Sequence, residues 1–223
     1  MISAGNDIVA LTAINAARTK QPEFYSKILS RAEKSLYQTP LSEAIPFEIF
    51  VWLLWSVKES AYKFLQRHNP ALLFTPVKFE VKELHFPTGF TINNFNVGEI
   101  EAVGFADDFA IKSTLRFGEY TLYSRSLIYN ELLLSTVNDN DSFDDVYWGI
   151  KAIDNADNEI QSATVRDFLL NRLKALGFKS PVISKNGHGI PVLLEGGEEI
   201  KIPVSLSHHD YWVAYAFSLN KAE

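Results

Sequence analysis

The stretch WSVKESAYK, Trp55–Lys63, lies in the second half of the longest apolar run of the chain, FEIFVWLLWSVKESAYKFL. No Gly or Pro interrupts this run, so it predicts a helix over residues 47–67. A charge without a partner is costly in such a helix, yet Lys58, Glu59 and Lys63 lie close together. Glu59 and Lys63 are four residues apart and share a helix face. Two interpretations stay open: a surface ion pair, or a carboxylate and an ammonium that hold a hard cation and a phosphate.

Composition narrows the classes of protein that fit. The chain has 223 residues, a net charge of −6, 47% hydrophobic residues and no cysteine. The absence of cysteine excludes disulfides and thiolate metal sites. A negative net charge argues against a general nucleic-acid binder, which needs a basic face. No signal peptide or membrane-spanning run is evident, which predicts a cytoplasmic protein that does not enter the membrane.

The first half of the chain predicts an α+β module over residues 1–140. We expect a short strand within Met1–Leu11, and a helix over residues 12–37 with a break near Gln21-Pro22. In residues 75–137 apolar and polar residues alternate, and Phe, Ile, Thr and Val are frequent, which predicts several antiparallel strands. Turn signals within this stretch are Pro87-Thr88-Gly89 and Asn93-Asn94.

The polar stretch NDNDSFDD, residues 138–145, predicts a boundary before a second module over 146–223. This module opens with the strand candidate VYWGIKAI, continues with a helix over about 160–176 that Gly177 ends, and closes with a hairpin around HHDY. The stretches YSRSLIYNELLLSTV and PVSLSHHDYWVAYAF near the ends of the two halves are similar hairpins. We therefore expect two similar modules, each an antiparallel sheet with helices, packed as a pseudo-dimer.

Two further features allow more than one interpretation. Asp7, in GNDIV, is either a turn residue or a second carboxylate at a strand end that meets Glu59. Two carboxylates suit Mg²⁺, which keeps waters and takes phosphate oxygens. His208, in VSLSHH, is either a solvated turn histidine or a phosphate contact. A hydrolase with a Ser207–His208 pair is disfavoured, because successive strand residues point to opposite faces.

Taken together and in this order, these motifs resemble the 4′-phosphopantetheinyl transferase superfamily. They are GNDIV, WSVKESAYK, the turn Gly189-Ile190-Pro191 and VSLSH. The motif order is that of the short members, the holo-acyl-carrier-protein synthases, whereas the length is that of the long, fused members. The resemblance therefore implies a pseudo-dimer whose halves stand in the opposite order to those of the long members. Because each half lacks what the other carries, it also implies one composite site between the halves and a protein that is a monomer.

The resemblance implies transfer of the 4′-phosphopantetheine group of coenzyme A to a serine of an acyl or peptidyl carrier protein, with release of 3′,5′-ADP. Asp7 and Glu59 would hold Mg²⁺, or Mn²⁺, and Glu59 would take the serine proton directly or through a water. Lys63 would neutralise phosphate charge and assist the leaving group, and His208 would contact a phosphate from the other half. Further contacts to coenzyme A would come from the polar residues Lys58, Ser207, Lys185, His188 and Arg166. For Lys58 the choice between ligand and partner stays open.

The sequence departs from the family pattern at three places. Val9 stands where the long members often carry a second acid, and Ile190 stands where the turn usually has a Lys. Lys185 or His188 would have to compensate for the missing cation. The basic residues that the long members place around the 3′-phosphate have no certain counterpart, and Arg166 and Arg172 are the candidates.

The segment from Arg18 to Lys34 carries five basic residues and only two acidic ones. It is either solvated surface or, because carrier proteins are typically acidic, a docking patch around Arg18, Lys27 and Arg31. Two other functions stay open for the whole chain. It is alternatively a relative that binds coenzyme A or a carrier without turnover, or an unrelated metal-dependent phosphoesterase.

Overall fold

The computed structural model describes residues 4–39, 41–92 and 95–219, and it has an α+β fold. Two long helices account for most of the helical residues, and four single-turn helices precede the first of them. The helices are α1 Ala16–Thr19, α2 Pro22–Tyr25, α3 Arg31–Lys34, α4 Leu41–Ala44, α5 Phe47–Gln66 and α6 Asn158–Ala175. Short 3₁₀ turns cover Leu11–Ala13 and Pro76–Lys78. Of the described helices, none combines the length and the apolar character that crossing a membrane requires.

The strands form three sheets in which every pairing is antiparallel. The strands are β1 Gly5–Ala10, β2 Glu80–His85, β3 Glu99–Val103, β4 Ile111–Phe117, β5 Tyr120–Ile128, β6 Leu132–Asn138, β7 Val146–Ala152, β8 Pro181–Lys185, β9 Pro191–Glu195, β10 Glu198–Ile200, β11 Val204–His209 and β12 Trp212–Ser218. The five-stranded sheet has the order β1-β6-β5-β4-β2, and the four-stranded sheet has the order β11-β12-β7-β3. The three-stranded sheet is β10-β9-β8.

The layers follow one another as α5, the five-stranded sheet, the four-stranded sheet and α6. One core packs α5 against one face of the five-stranded sheet. A second core lies between the two larger sheets, where Ile8 and Leu134 face Trp148 and Ala214. A third core packs α6 against the far face of the four-stranded sheet, for example through Tyr215. Because both faces of β12 are covered, all seven of its residues are buried and its sequence shows no polar alternation.

The helix predicted over residues 47–67 is confirmed, and α5 spans Phe47–Gln66. Pro46 precedes its first turn, where the missing N–H of a proline does no harm. Buried residues occur along its whole length and include the polar Ser56, Lys58 and Ser60. The helix is therefore central to the first core and not an amphipathic surface element.

The prediction of one helix over residues 12–37 with a single break is wrong. The segment forms α1, α2 and α3, each of four residues, with turns between them. The reason is local capping. Asn15 caps α1, Pro22 starts α2, and Ser30 starts α3 with a reciprocal capping box to Glu33.

Most of the remaining expectations agree with the structure. The strands within 75–137, the strand from Val146 and the helix before Gly177 are all present, and Gly177 has the positive φ of a helix stop. The turn prediction at Asn93-Asn94 falls outside the described residues. The predicted turn HHDY differs, because His208 and His209 lie on β11 and only Asp210 and Tyr211 make the turn.

The two larger sheets meet where an edge strand of each lies beside the other. β1 ends the five-stranded sheet and β11 ends the four-stranded sheet. Their contact uses side chains: the backbone N–H of Asn6 donates to Ser205 Oγ at 2.9 Å, and that of Ala10 donates to His209 Nδ1 at 3.2 Å. We call this contact between β1 and β11 the seam. The strand β3 belongs by position to the first half but pairs with β7 in the second sheet, so the chain exchanges an element across the seam.

Candidate active site at the seam

The close approach of β1 to α5 positions the first candidate residues. A Cβ added at Gly5 would lie 2.0 Å from the carbonyl oxygen of Ser60 and 2.9 Å from the amide nitrogen of Phe64. Ser60 and Ser56 also tie the helix to the sheet, since Ser60 Oγ donates to the Ser135 carbonyl at 3.0 Å. The glycine of GNDIV and the serines of WSVKESAYK thus let the helix lie directly on the strand that carries Asp7.

Alternation along β1 directs Asp7 toward α5 and Asn6 toward β11. Lys63 Nζ lies 3.0 Å from Asp7 Oδ1 and 3.4 Å from Glu59 Oε1, so both carboxylates converge on one ammonium group. The Asp7 side chain is 7% exposed and that of Glu59 is 27% exposed. Burial, opposed by Lys63 and reinforced by the Glu59 charge, raises the pKa of Asp7 to about 7. Burial alone would lower the pKa of Lys63, but the two carboxylates outweigh it and raise that pKa.

These residues fit a divalent cation. Asp7 Oδ2 is buried and finds no hydrogen-bond partner among the described residues. Burial raises the pKa of Asp7 despite the opposing charge of Lys63, so the ion pair offsets only part of the cost of burying this carboxylate. Within the described ranges no group of three or more His, Asp or Glu residues is placed to hold a metal. The donor set is therefore two carboxylates, which suits Mg²⁺ or Mn²⁺ completed by water and phosphate oxygens.

A cleft of about 240 Å³ begins at Lys63 and extends between the two halves. The end of α5, the first half of α6, β8 with the turn after it, and β11 form its walls. Its lining includes the cationic or titratable residues Lys63, Arg67, Arg166, Lys185 and His208. No Asp or Glu is among the described residues that line it. A cleft with this charge attracts an anion with several negative groups.

His208 contributes to this cleft from the second half. Burial lowers its pKa, and the neighbouring positive charge of Lys63 lowers it further. At neutral pH the imidazole is therefore uncharged and can donate one hydrogen bond to a phosphate oxygen. The two strand edges thus bring together the carboxylate pair of the first half and the histidine of the second.

The family model for the 4′-phosphopantetheinyl transferase superfamily matches residues 3–112. Over these residues the chain is similar to that superfamily. The matched range holds Asp7, Glu59 and Lys63, whereas Arg166, Lys185 and His208 come from the part of the chain that follows it. Comparison with curated proteins and with solved structures gave no match.

Lys58, predicted as a contact to coenzyme A or a partner, is not among the residues that line the cleft. Its side chain is fully buried, and its Nζ donates to Glu33 Oε2 at 2.7 Å and to the Ile28 carbonyl at 2.6 Å. The other oxygen of Glu33 accepts the backbone N–H of Val81 at 2.8 Å. The motif lysine therefore joins α3 to α5 and β2 inside the core.

Ser207 and His188 also lie outside the cleft lining. Ser207 is buried in the seam, where its Oγ accepts from Asn6 Nδ2 at 2.8 Å. It therefore holds β1 and does not present a hydroxyl to the ligand. The backbone N–H groups of His188 and Ile190 both donate to Asn186 Oδ1, which shapes the turn before β9. His188 itself is exposed.

The remaining predicted site residues either line the cleft or lie outside its lining. Arg166 and Lys185 line the cleft. Arg172 lies outside the cleft lining. Its Nη1 is 3.8 Å from Glu101 Oε2, and its guanidinium packs over the ring of Tyr147. In the basic segment from Arg18 to Lys34, the candidates Arg18, Lys27 and Arg31 are all exposed, and Arg18 also packs over the ring of Phe24.

Sequence reasoning missed three residues at the site: Arg67, Ser205 and Asn6. Arg67 follows Glu59 and Lys63 at the same four-residue spacing, which was the available signal. Asn6 and Ser205 gave no signal, because their contact joins residues 199 positions apart.

Proposed function

We propose that this protein transfers the 4′-phosphopantetheine group of coenzyme A to a serine hydroxyl of an acyl or peptidyl carrier protein and releases 3′,5′-ADP. The observation that supports this best is the junction of the Asp7–Glu59 carboxylate pair with a cationic cleft that its described lining leaves free of acids. Coenzyme A carries a pyrophosphate and a 3′-phosphate, so it needs both parts of this arrangement. The match of residues 3–112 to the superfamily model supports the same activity.

In the proposed reaction the serine oxygen bonds to the β-phosphorus, and the bond from that phosphorus to the bridging oxygen breaks. Negative charge develops on the 3′,5′-ADP that leaves. Lys63 lies at the mouth of the cleft, where its ammonium neutralises this charge. His208 donates to a phosphate oxygen from the opposite wall. Glu59, which is more exposed than Asp7, takes the proton of the serine hydroxyl.

Asp7 and Glu59 would hold Mg²⁺ or Mn²⁺, which supplies positive charge to the pyrophosphate. The buried Oδ2 of Asp7, without a partner among the described residues, is the oxygen best placed to take up a ligand. Its neighbour Oδ1 already accepts from Lys63. Lys63 therefore has two roles: it orients the Asp7 carboxylate, and it lines the cleft in which the phosphates would bind.

The two modules, 1–140 and 146–223, form one composite site in this proposal, as a pseudo-dimer does. The position of the cleft between α5 and β11 supports it. The exposed Lys27 and Arg31 would receive an acidic carrier protein on the α5 side.

A mass measurement tests the proposal. The protein is mixed with coenzyme A, Mg²⁺ and each of several apo carrier proteins, and each carrier is weighed by mass spectrometry. A gain of one phosphopantetheine mass on a carrier supports the transfer. No gain on any carrier, with coenzyme A still bound, would favour a binding relative without turnover. Hydrolysis of phosphate esters without any carrier would favour a phosphoesterase.

A Glu59→Gln variant tests the role of the carboxylate. Loss of the base and of a cation ligand should lower kcat by about 10²- to 10⁴-fold. Full activity in this variant would contradict the assignment of Glu59. Glu83→Gln, at an exposed position on β2, is the control and should leave kcat unchanged.

A further inference from the structure

Arg67 connects the two halves of the molecule at the cleft. It follows α5 directly, one turn beyond Lys63, and it is among the residues that line the cleft. Its Nη1 donates to the Pro191 carbonyl at 3.2 Å, and its Nη2 donates to the Val204 carbonyl. Both acceptors belong to the second half, so the guanidinium is held by the wall opposite its own helix.

Among the described residues, no carboxylate forms an ion pair with Arg67. Both of its hydrogen-bond acceptors are neutral carbonyls, and no acid stands among the described residues that line the cleft. Its Nε is buried and has no acceptor within the described part of the chain. Burial lowers the pKa of Arg67 to about 10, which still leaves the group charged at neutral pH. A buried cation of this kind is destabilising unless an anion joins it.

The position of Arg67 relates it to the departure at Ile190. The Gly189-Ile190-Pro191 turn and Arg67 line the same cleft, and Arg67 bonds the carbonyl of Pro191. Ile190 is 7% exposed and apolar, so it cannot bind a phosphate. Arg67 thus brings positive charge from the first half to the turn where the second half has none.

We propose that Arg67 is a phosphate-binding residue for coenzyme A that takes the place of the cation absent at residue 190. This inference rests on the proposed function. The N–H of Nε and one N–H on each terminal nitrogen are free to donate, which suits the fork of a phosphate group. Because the bonds to Pro191 and Val204 hold the guanidinium in place, it is positioned before the ligand arrives.

Binding of 3′,5′-ADP and of inorganic pyrophosphate, measured by calorimetry on the full chain, tests this assignment. Arg67→Gln should weaken 3′,5′-ADP binding by roughly 10- to 100-fold, as expected for the loss of a charged hydrogen bond. Arg67→Lys should recover part of the affinity. Lys201→Gln, in the neighbouring cavity that Arg67 also lines, is the control and should bind as the wild type does.

A measurement on the wild-type protein separates binding from a purely structural role. The Nε–H resonance of Arg67, assigned by its absence in Arg67→Lys, should shift when 3′,5′-ADP saturates the protein. An unchanged resonance, or equal affinity in Arg67→Gln and wild type, overturns the inference and leaves the proposed function intact. Wild-type binding of pyrophosphate but not of 3′,5′-ADP, lost in Arg67→Gln, would uphold Arg67 and contradict the proposed function. Binding of neither probe would overturn both.

Discussion

At the scale of single residues, uncompensated charge distinguishes the site from the rest of the molecule. Asp7 is buried, faces a second carboxylate and shares one ammonium with it. Its pKa is raised to about 7 mainly because burial penalises the carboxylate. Arg67 is the opposite case, a cation held by neutral carbonyls. The carboxylate of Asp7 attracts a cation and the guanidinium of Arg67 attracts a phosphate, so the pair favours a ligand that brings both.

The raised pKa of Asp7 predicts how cation binding depends on pH. Below about pH 7 Asp7 carries a proton in the cation-free protein, and the cation must displace it. The apparent affinity for Mg²⁺ should therefore rise by up to roughly tenfold per pH unit toward pH 7 and level off above it. Calorimetric titration with Mg²⁺ between pH 5.5 and 8.5, a range of about three units, measures this. Asp7→Asn should bind weakly with no such slope, and a flat wild-type profile would refute the assignment.

The sequence predicted Asp7, Glu59, Lys63 and His208 because each stands out from its neighbours. It misplaced Lys58, since its partner Glu33 lies 25 residues away in a segment whose structure was itself predicted wrongly. A charged residue in a motif next to Glu59 looks like a ligand contact until that partner is known. Arg67 was missed for the converse reason, because an arginine at the end of a helix is ordinarily solvated.

At the scale of elements, β1 and α5 are in contact because Gly5 has no side chain. A methyl group there would overlap the Ser60 carbonyl and the Phe64 amide, which are backbone atoms that cannot turn away. Gly5→Ala should lower the free energy of unfolding by about 1–3 kcal/mol or more, the usual cost of overpacking. It should also weaken Mg²⁺ binding by moving Asp7 away from Glu59. Urea unfolding and calorimetry measure the two effects.

The matched control for this variant is Gly98→Ala. Gly98 is exposed, and nothing lies within 4 Å of the position that a Cβ would take. Its stability and Mg²⁺ affinity should equal those of the wild type. If Gly5→Ala behaved in the same way, close packing would not explain the glycine of GNDIV.

The Lys58–Glu33 pair fixes a second set of elements, α3, α5 and β2. Burial lowers the pKa of Lys58, and Glu33 opposes this by stabilising the ammonium. Lys58→Met leaves the Glu33 carboxylate buried without its cation and should cost roughly 3–5 kcal/mol of unfolding free energy. The double variant Lys58→Met, Glu33→Gln removes both charges and should be more stable than Lys58→Met alone. Urea unfolding compares the variants.

Lys112→Met serves as the control for the buried pair. It breaks an ion pair with Asp107 in which both side chains are more than a third exposed. Such surface pairs contribute about 0–1 kcal/mol. An equal loss in Lys58→Met and Lys112→Met would show that burial of the Lys58–Glu33 pair does not matter.

The helices and strands that a local sequence pattern determines were predicted, and those that depend on distant contacts were not. α5 follows from an uninterrupted apolar run, and the strands follow from alternation. The short helices α1, α2 and α3 depend on the caps Asn15 and Ser30 and on Pro22 at the start of α2, whose combined effect outweighs the helical composition of the segment. The exchange of β3 into the second sheet could not be predicted, because its pairing with β7 is set by the packing of the whole chain.

At the scale of the whole molecule, the seam determines whether the site exists. Asp7 and His208 lie on the two edge strands β1 and β11, and three hydrogen bonds from Asn6 and Ala10 join these strands. Side chains, and not a continued backbone ladder, cover these edges. In addition to the apolar core between the sheets, a few specific hydrogen bonds therefore join β1 to β11, and the one through His209 can be switched by a proton.

His209 makes the seam sensitive to acid. Its Nδ1 accepts the N–H of Ala10, which requires that this nitrogen carry no proton. Burial lowers the pKa of His209, although Asp210 and Glu59 oppose the shift. The unfolded state therefore binds more protons than the folded state below about pH 6.5, so the stabilising contribution of His209 is present above that pH. It is lost as the pH falls through the lower pKa of the folded state.

We therefore expect the stability advantage of the wild type over His209→Gln to shrink as the pH falls from about 7 to 5, because glutamine accepts a hydrogen bond but does not titrate. Comparing the two proteins at each pH removes the opposite contribution of Asp7, whose raised pKa favours folding at lower pH. The protection factor of the Ala10 amide, which compares its exchange with that of an unprotected amide at the same pH, should fall with acid in the wild type alone. His85→Gln, at an exposed position, should follow the wild type. If the protection factor of the Ala10 amide stayed constant across this range, protonation of His209 would not weaken the seam.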